Sequence, residues 1–446
     1  MSFERARSVI VRMGESVVMN ANLARKQDQS ASEDKEAGPR TNRRSVAVLV
    51  VPSGSYRTAD FVAAARILRV DLVVATDGAT PMGDLGRSRS VSIDFERPEW
   101  SAKRVAEIRP RPDAVIAADD RGVVIAAFAS NMLGLPANPV AAVISTRDKA
   151  HMRALLDGAS VPQPVFALAS LGEVPVAAAR IGFPCVVKPR RLSASRGVIR
   201  VDNPTEATAA EARIREIVAC FPGDVDEPLL VEGFVSGSEV AVEGMLVNGD
   251  LSVLAILDKP DPLEGPYFEE TMFVTPSRHA GALQAEIAAI TQSATDALGL
   301  VTGPVHAEVR LGAEGAVLIE VAARSIGGLC GRALTFGLLG ESLEVLIVRS
   351  ALGLPGAGHD RAAAATGVLM LPIPEEGTLA GINGVDDALG VDGVTDFAQT
   401  IPDGGDIVPL PEGDRYLGFL FAEGLTPETV EQSLREAHGM LDITMK

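Results

Sequence analysis

From Ser45 onward short apolar runs alternate with amphipathic ones. SVAVLVV (45–51) reads as a buried strand, SGSYRTAD as a loop with helix-start residues, and FVAAARILRV as a helix. DLVVATDG gives a second strand and DAVIAADD (113–120) a later one. Alternation of this kind implies a parallel α/β layer. Asn138-Pro139 closes that unit, and Ser145 to Leu156 reads as one helix with Thr146 and Asp148 near its start. After Gly158 and the proline-rich VPQPVF, a second, α+β pattern opens with FPCVVKP. It continues through the strand GVIRV, a helix from about Pro204 to Cys220 and the strand LLVEGFV. EVAVEGMLV and LSVLAILDK are two strands joined by Asn248-Gly249, a strong hairpin signal. A helix from about Gly281 to Gly299 follows, and short strands with one terminal helix (Pro427 to Gly439) fill the chain beyond Ala362. Residues 21–44 are polar and read as a disordered tail, with room for a short helix within 3–19.

The segment VHAEVRLGAEGAVLIEVAAR gives a further hairpin, and it carries chemistry. A three-residue loop, Ala313 to Gly315, sets Gly312 opposite Ala316 and Glu308 opposite Glu320. Like charges directly across a strand pair are destabilising. Either the two carboxylates splay into solvent, or they share a divalent cation whose other ligands are phosphate and water. Arg324 and Gly327-Gly328 follow at once, and a guanidinium beside an acidic pair suits phosphate chemistry.

Composition sets the frame for that reading. The 446 residues are 47% hydrophobic and 22% charged, as expected for a globular protein of two or three domains. Lys and Arg number 41 against 59 Asp and Glu, a net charge of −18 that disfavours nucleic acid and anionic membranes. Against that background Lys188, Arg190, Arg191, Arg196 and Arg200 form a local basic cluster, which suggests a small anionic ligand. The three cysteines are far apart and form no CxxC pair, and the five histidines are scattered. No signal-peptide-like start or apolar run of spanning length is seen, so a cytoplasmic location is expected. Ser53-Gly54-Ser55 is not GxGxxG, and GLPGAGHD (353–360) lacks the Lys-Ser/Thr of a Walker loop.

Lys188 ends an apolar strand and leads into RRLSASRG, a Ser- and Arg-rich loop closing on Gly197, a composition suited to a polyphosphate. In order and spacing, FPCVVKPRRLSASRGVIRV, VEGFVSGSEVAVEG and HAEVRL…AVLIEVAARSIGG resemble the ATP-grasp superfamily, and within it the ADP-forming ligases that join amino acids into dipeptides. The resemblance covers roughly residues 46–440. It implies an α/β and α+β ATP-grasp fold: a tail (1–44), a Rossmann-like domain (45–140), an ATP-grasp region (141–355) with a lid at about 180–240, and a C-terminal α+β domain (356–446).

The same resemblance assigns roles. Lys149 and Lys188 correspond to the lysines on the nucleotide phosphates, with Ser193, Ser195, Arg196 and Gly197 in the loop that closes over them. Glu232 to Val235 corresponds to the strand whose backbone reads adenine, with Phe234 or Val235 against the base, and Glu239 to the ribose carboxylate. Glu308 and Glu320 correspond to the Mg²⁺ ligands, with Mn²⁺ as a substitute ion. Arg324 corresponds to the guanidinium on the reacting carboxylate and the transferred phosphoryl group, and Glu270 to the receiver of the substrate's amino group. Two departures stand out: Ala322 replaces an asparagine that many relatives use on the metal, and Phe273 and Gly328 stand where polar and bulky residues occur. An unusual, large or aromatic substrate is implied.

The expected reaction is ATP-dependent amide formation through an acyl phosphate, with ADP and phosphate released, between an amino acid and an amine, amino acid or short peptide. Ligation of bicarbonate or another small acid, and nucleotide binding without catalysis, are the alternatives. No residue stands out as the base for the amine. A homodimer is compatible with the reading.

Overall fold

The computed structural model describes residues 43–78, 89–337, 340–355, 360–361 and 364–446. The expected tail up to residue 42, the helix within it and residues 356–359 of the GLPGAGHD loop lie outside the described residues.

The apolar runs near the N-terminus form a parallel sheet in the order Arg89–Ser92, Asp71–Thr76, Val46–Val50, Ala114–Ala117. Val46–Val50 is buried at every position, as a strand covered on both faces must be. In such sheets ligands gather at the carboxyl ends of the strands, where the strand order reverses. The loops leaving Val50 and Ala117 at that end carry Arg57, Asp119 and Asp120.

The single helix expected over 145–156 is two helices, Val140–Thr146 and Lys149–Gly158. Asp148 breaks them: its backbone is extended and its carboxylate caps the second helix by accepting from the Ala150 and His151 amides. That cap places Lys149 at the first helical position.

A four-stranded antiparallel sheet follows, in the order Phe166–Ala169, Leu229–Gly233, Cys185–Lys188, Ile199–Val201. Helices Val174–Ile181 and Pro204–Ala219 cover it through Val174, Ala178, Ala207 and Ile214. Phe166–Ala169, ahead of the start expected for the lid at about residue 180, pairs with Leu229–Gly233 in this sheet.

The largest sheet has eight strands and does not stop where a separate C-terminal domain was expected. The hairpin strands Gly315–Ala322 and Gly303–Gly312 lead through Ser238–Val247, Asp250–Lys259 and Met272–Thr275 to Ala365–Leu371, Gly418–Gly424 and Val394–Gln399. Strands from both regions therefore form one hydrogen-bonded layer, and residues 45–446 form one compact unit. Helix Gly281–Leu298 packs Ile287, Ile290 and Ala294 on one face, against Val242, Val305 and Leu318. On the other face Phe273, Met370 and Phe419 share a cluster with Leu346 and Phe61, which ties the N-terminal layer to the sheet. Asn248-Gly249 is the tight turn expected, with φ of 55° and 92°.

The glutamate hairpin differs in detail. Gly312 pairs with Gly315, so the loop has two residues and Gly312 is not opposite Ala316. A bulge between the Val309↔Leu318 and Glu308↔Glu320 pairs then inserts Ile319 unpaired. The shorter loop and the extra residue cancel, and Glu308 still faces Glu320.

Candidate active site

The parallel sheet, the lid and the large sheet enclose a cleft of about 1140 Å³. Every site residue expected from the sequence lines it except Gly197. Gly197 lies behind its loop, φ +68°, with its amide bonded to the Pro411 carbonyl at 2.9 Å. The loop itself is strained, since Ala194 and Ser195 both hold positive φ, at 58° and 54°.

On the lid side, Lys188 ends its strand 4% exposed, with its ammonium 2.6 Å from Glu232 Oε2. Glu232 is held from the other side by Arg153 Nε at 2.6 Å, and Arg153 also donates to the Ile319 carbonyl at 2.6 Å. Burial alone would raise the Glu232 pKa, but Arg153 and Lys188 outweigh it and bring it down to about 2. Burial pushes the Lys188 pKa below its usual range against the pull of Glu232. Lys149 Nζ reaches the Leu192 carbonyl at 2.8 Å and Glu320 Oε1 at 3.0 Å, so it bridges the loop to the hairpin. Phe234 stacks on Phe268 with centroids 6.3 Å apart, and the Arg200 guanidinium lies 4.5 Å from its ring.

Behind the carboxylates that line the cleft lies a buried cation that the sequence reading missed. Lys259 Nζ sits 2.5 Å from Glu239 Oε1 and 3.7 Å from Glu308 Oε1, and hydrogen-bonds Glu270. These three carboxylates have ligand atoms within 4.8 Å of one another. Arg310 Nε takes the other Glu239 oxygen at 2.7 Å and also donates to the Val235 carbonyl at 2.6 Å. Both Glu239 oxygens are therefore already bonded to cations, and a ribose hydroxyl would have to share them. Burial raises the Glu270 pKa more than Lys259 lowers it. At Glu308, burial is outweighed by Lys259 and His306, so its pKa falls. Like charges around one ammonium are thus driven apart in acidity. Lys259 ends LSVLAILDK just as Lys188 ends FPCVVK, and that parallel was the available signal.

His306 and Glu243 were also missed. His306 Nδ1 lies 2.5 Å from Glu243, which is fully buried, and Nε2 faces the cleft 3.9 Å from Glu308. Burial works against the imidazolium, but Glu243 and then Glu308 raise its pKa to about 9.

At the N-terminal wall Arg324 donates to Asp120 at 2.8 Å, and Arg147 approaches the same carboxylate at 3.2 Å. Asp120 thus orients the guanidinium from a different sheet. One part of the cleft wall is apolar: Tyr56, Phe273, Met370 and Tyr416 line it and pack in one cluster. Gly328 holds φ +60°, and a Cβ there would meet the Phe419 ring at 2.9 Å.

Hard oxygen donors facing each other, flanked by lysines and a guanidinium, suit a divalent cation with phosphates. Ala322, opposite His306 in the register, adds no donor. Among the described residues no helix is long and apolar enough to cross a membrane.

Comparison with known proteins agrees with this architecture. Residues 181–333 match the ATP-grasp domain, and residues 369–446 match the L-amino acid ligase C-terminal domain 2. Alanine–anticapsin ligase of Bacillus subtilis is 29% identical over 233 residues, covering 48% of this chain and 49% of that protein. The chain thus spans about half the length of that curated relative. The crystal structure of L-amino acid ligase from Bacillus licheniformis superposes with a TM-score of 0.76 at 24% identity, over 91% of this chain and 100% of that one. The biotin carboxylase domain of Hydrogenobacter thermophilus 2-oxoglutarate carboxylase, solved with MgADP and bicarbonate, gives 0.67 at 15% identity, covering 90% of each chain. The fold is the ATP-grasp fold.

Proposed function

We propose that this chain, which carries an ATP-grasp domain and an L-amino acid ligase C-terminal domain, is an ATP-dependent carboxylate–amine ligase. It moves the γ-phosphoryl group of ATP to the carboxylate of an amino acid, giving an acyl phosphate and ADP, and an amine, amino acid or short peptide then attacks the acyl carbon and expels phosphate. One observation carries the reading: Glu308 faces Glu320 inside the cleft that also holds Lys149, Lys188 and Arg324. The alanine–anticapsin ligase likeness supports an amino-acid substrate.

A divalent ion held by Glu308 and Glu320, Mg²⁺ with Mn²⁺ as a substitute, would neutralise phosphate charge. The remaining work falls to the chain's own groups, because phosphoryl transfer needs chiefly positioning and charge neutralisation. Lys149 and Lys188 face the phosphates, and Phe234 and Val235 border the base. Arg324, oriented by Asp120, presents a planar fork to the carboxylate. Loop residues Ser193 to Gly197 cover the phosphates and keep water from the acyl phosphate. Glu270 receives the substrate's ammonium, exchanging it for part of its bond to Lys259. The apolar lining of Tyr56, Phe273, Met370 and Tyr416 takes a large or aromatic side chain, and Gly328 lets the chain pass close to the Phe419 ring behind it. Homodimer formation fits the same reading and is read by sedimentation.

A screen of amino acids and short peptides for ADP release tests the proposal. Release that requires both an acid and an amine supports it, and release with bicarbonate alone would replace it.

A further inference from the structure

The loop expected to cover the phosphates is tied at its far side to the last quarter of the chain. The Gly197 amide donates to the Pro411 carbonyl at 2.9 Å, and Arg196 Nη2 lies 3.1 Å from Asp414. One layer out, Arg213 on the lid helix makes a two-pronged pair with Glu412, at 2.6 and 2.9 Å, and also bonds the Tyr267 hydroxyl. Three separate ties thus join the lid to residues 411–414.

The receiving segment is preformed. A Cβ on Gly413 would sit 1.9 Å from the Val408 carbonyl oxygen, and the Gly413 amide closes onto the Pro409 carbonyl at 2.8 Å. Only glycine fits such a turn. On the loop side, Arg196 rests over the Phe221 ring at 4.3 Å, and its buried Nε has no acceptor. That orphaned donor is suited to an anionic oxygen arriving at the loop. Two residues beyond Asp414, Tyr416 lines the apolar end of the cleft, edge-on to Phe419 at 5.8 Å.

We infer that residues 411–416 form a latch, in which Asp414 and Glu412 are positioning residues that hold the phosphate-covering loop while Tyr416 contacts the substrate side chain. The inference rests on the ligase reading for the identity of that substrate. Asp414 holds Arg196 when no nucleotide is bound and presents it, still oriented, to the phosphates when one arrives. Because one short segment carries both the latch and Tyr416, a substrate side chain against Tyr416 steadies the cover over the phosphates. Water is then excluded most completely when the acid is in place.

Hydrogen exchange on the full-length protein without ligands tests the latch independently of turnover. Glu412→Arg and Arg213→Glu should each speed exchange of the 193–198 amides about fivefold, the scale of one exposed ion pair. The double swap should bring it back to within about twofold of the native rate, and Asp414→Asn should speed exchange without changing the melting temperature. Unchanged exchange in the single variants, or a double variant as exposed as either single, would overturn the latch. With an active substrate pair, Asp414→Asn should also raise the ratio of ADP released to amide formed. A chain that releases no ADP with any acid would sink the ligase reading alone and leave the exchange result to judge the latch.

Discussion

Glu308 and Glu320 face each other across the hairpin only because the bulge at Ile319 compensates for a two-residue loop. The bulge also frees the Ile319 carbonyl to accept from Arg153, which holds Glu232 and through it Lys188. The acidic pair and the lid lysine are thereby linked through one irregular residue.

Removing either facing charge should therefore stop turnover without unfolding the chain. Glu308→Gln and Glu320→Gln keep the shape, and each should reduce metal-dependent ADP release by at least about 10²-fold, in line with losing a key electrostatic group. Far-ultraviolet circular dichroism should remain native. Calorimetry should show weakened Mg²⁺–nucleotide binding in both, and native binding in both would contradict the assignment.

Deleting Ile319 should act at a distance. Removing the unpaired residue leaves Glu308 opposite Glu320 but straightens the strand and takes away the carbonyl that accepts from Arg153, which holds Glu232 and through it Lys188. Loss of nucleotide binding together with a lowered melting temperature is expected. Unimpaired binding would show that the Ile319 carbonyl does not support the Arg153–Glu232–Lys188 chain.

Lys259 neutralises three carboxylates, so Lys259→Met should destabilise the fold by about 3–5 kcal/mol at neutral pH, the scale for breaking a buried ion cluster. The unbalanced carboxylates would then have raised pKa values in the folded state. Such groups contribute stability below their ordinary range and lose it as pH rises. The deficit against the native protein should accordingly shrink as pH falls toward 4.5, measured by urea titration at each pH.

Glu232 gives the opposite sign. Its folded pKa of about 2 lies below the ordinary 4.5, so its contribution is complete above pH 4.5 and fades as pH falls toward 2. Glu232→Gln should cost about 3–5 kcal/mol at pH 7 and flatten the acid limb of the stability curve. An unaltered acid limb would show that the Arg153–Glu232–Lys188 chain is not what holds the lid strand.

Much of this architecture was legible in the sequence, and the failures have physical causes. The strands read well where apolar runs are buried on both faces, as at Val46–Val50, and the helices expected from Pro204 and Pro427 start there. Breaks inside apparently continuous patterns did not read: Asp148 sits within a helical period yet caps the second of two helices. The hairpin register came out right through two cancelling local errors, because a bulge leaves no mark in the alternation. Lys259, His306 and Asp120 were missed because each acts through a partner distant in sequence, Glu239, Glu243 and Arg324 in turn. His306 lies inside its strand, and Lys259 and Asp120 at or just past the ends of theirs, where the local sequence names none of these partners.

The order of the chemistry is the most direct test of the account. Native protein with Mg²⁺, ATP, a reactive amino acid and hydroxylamine, but no amine partner, should give a hydroxamate and an equal amount of ADP. Arg324→Lys should abolish that half-reaction, since an ammonium cannot hold two oxygens as a planar fork does. Formation of AMP and pyrophosphate, or a hydroxamate yield untouched by Arg324→Lys, would contradict an acyl phosphate formed at this site.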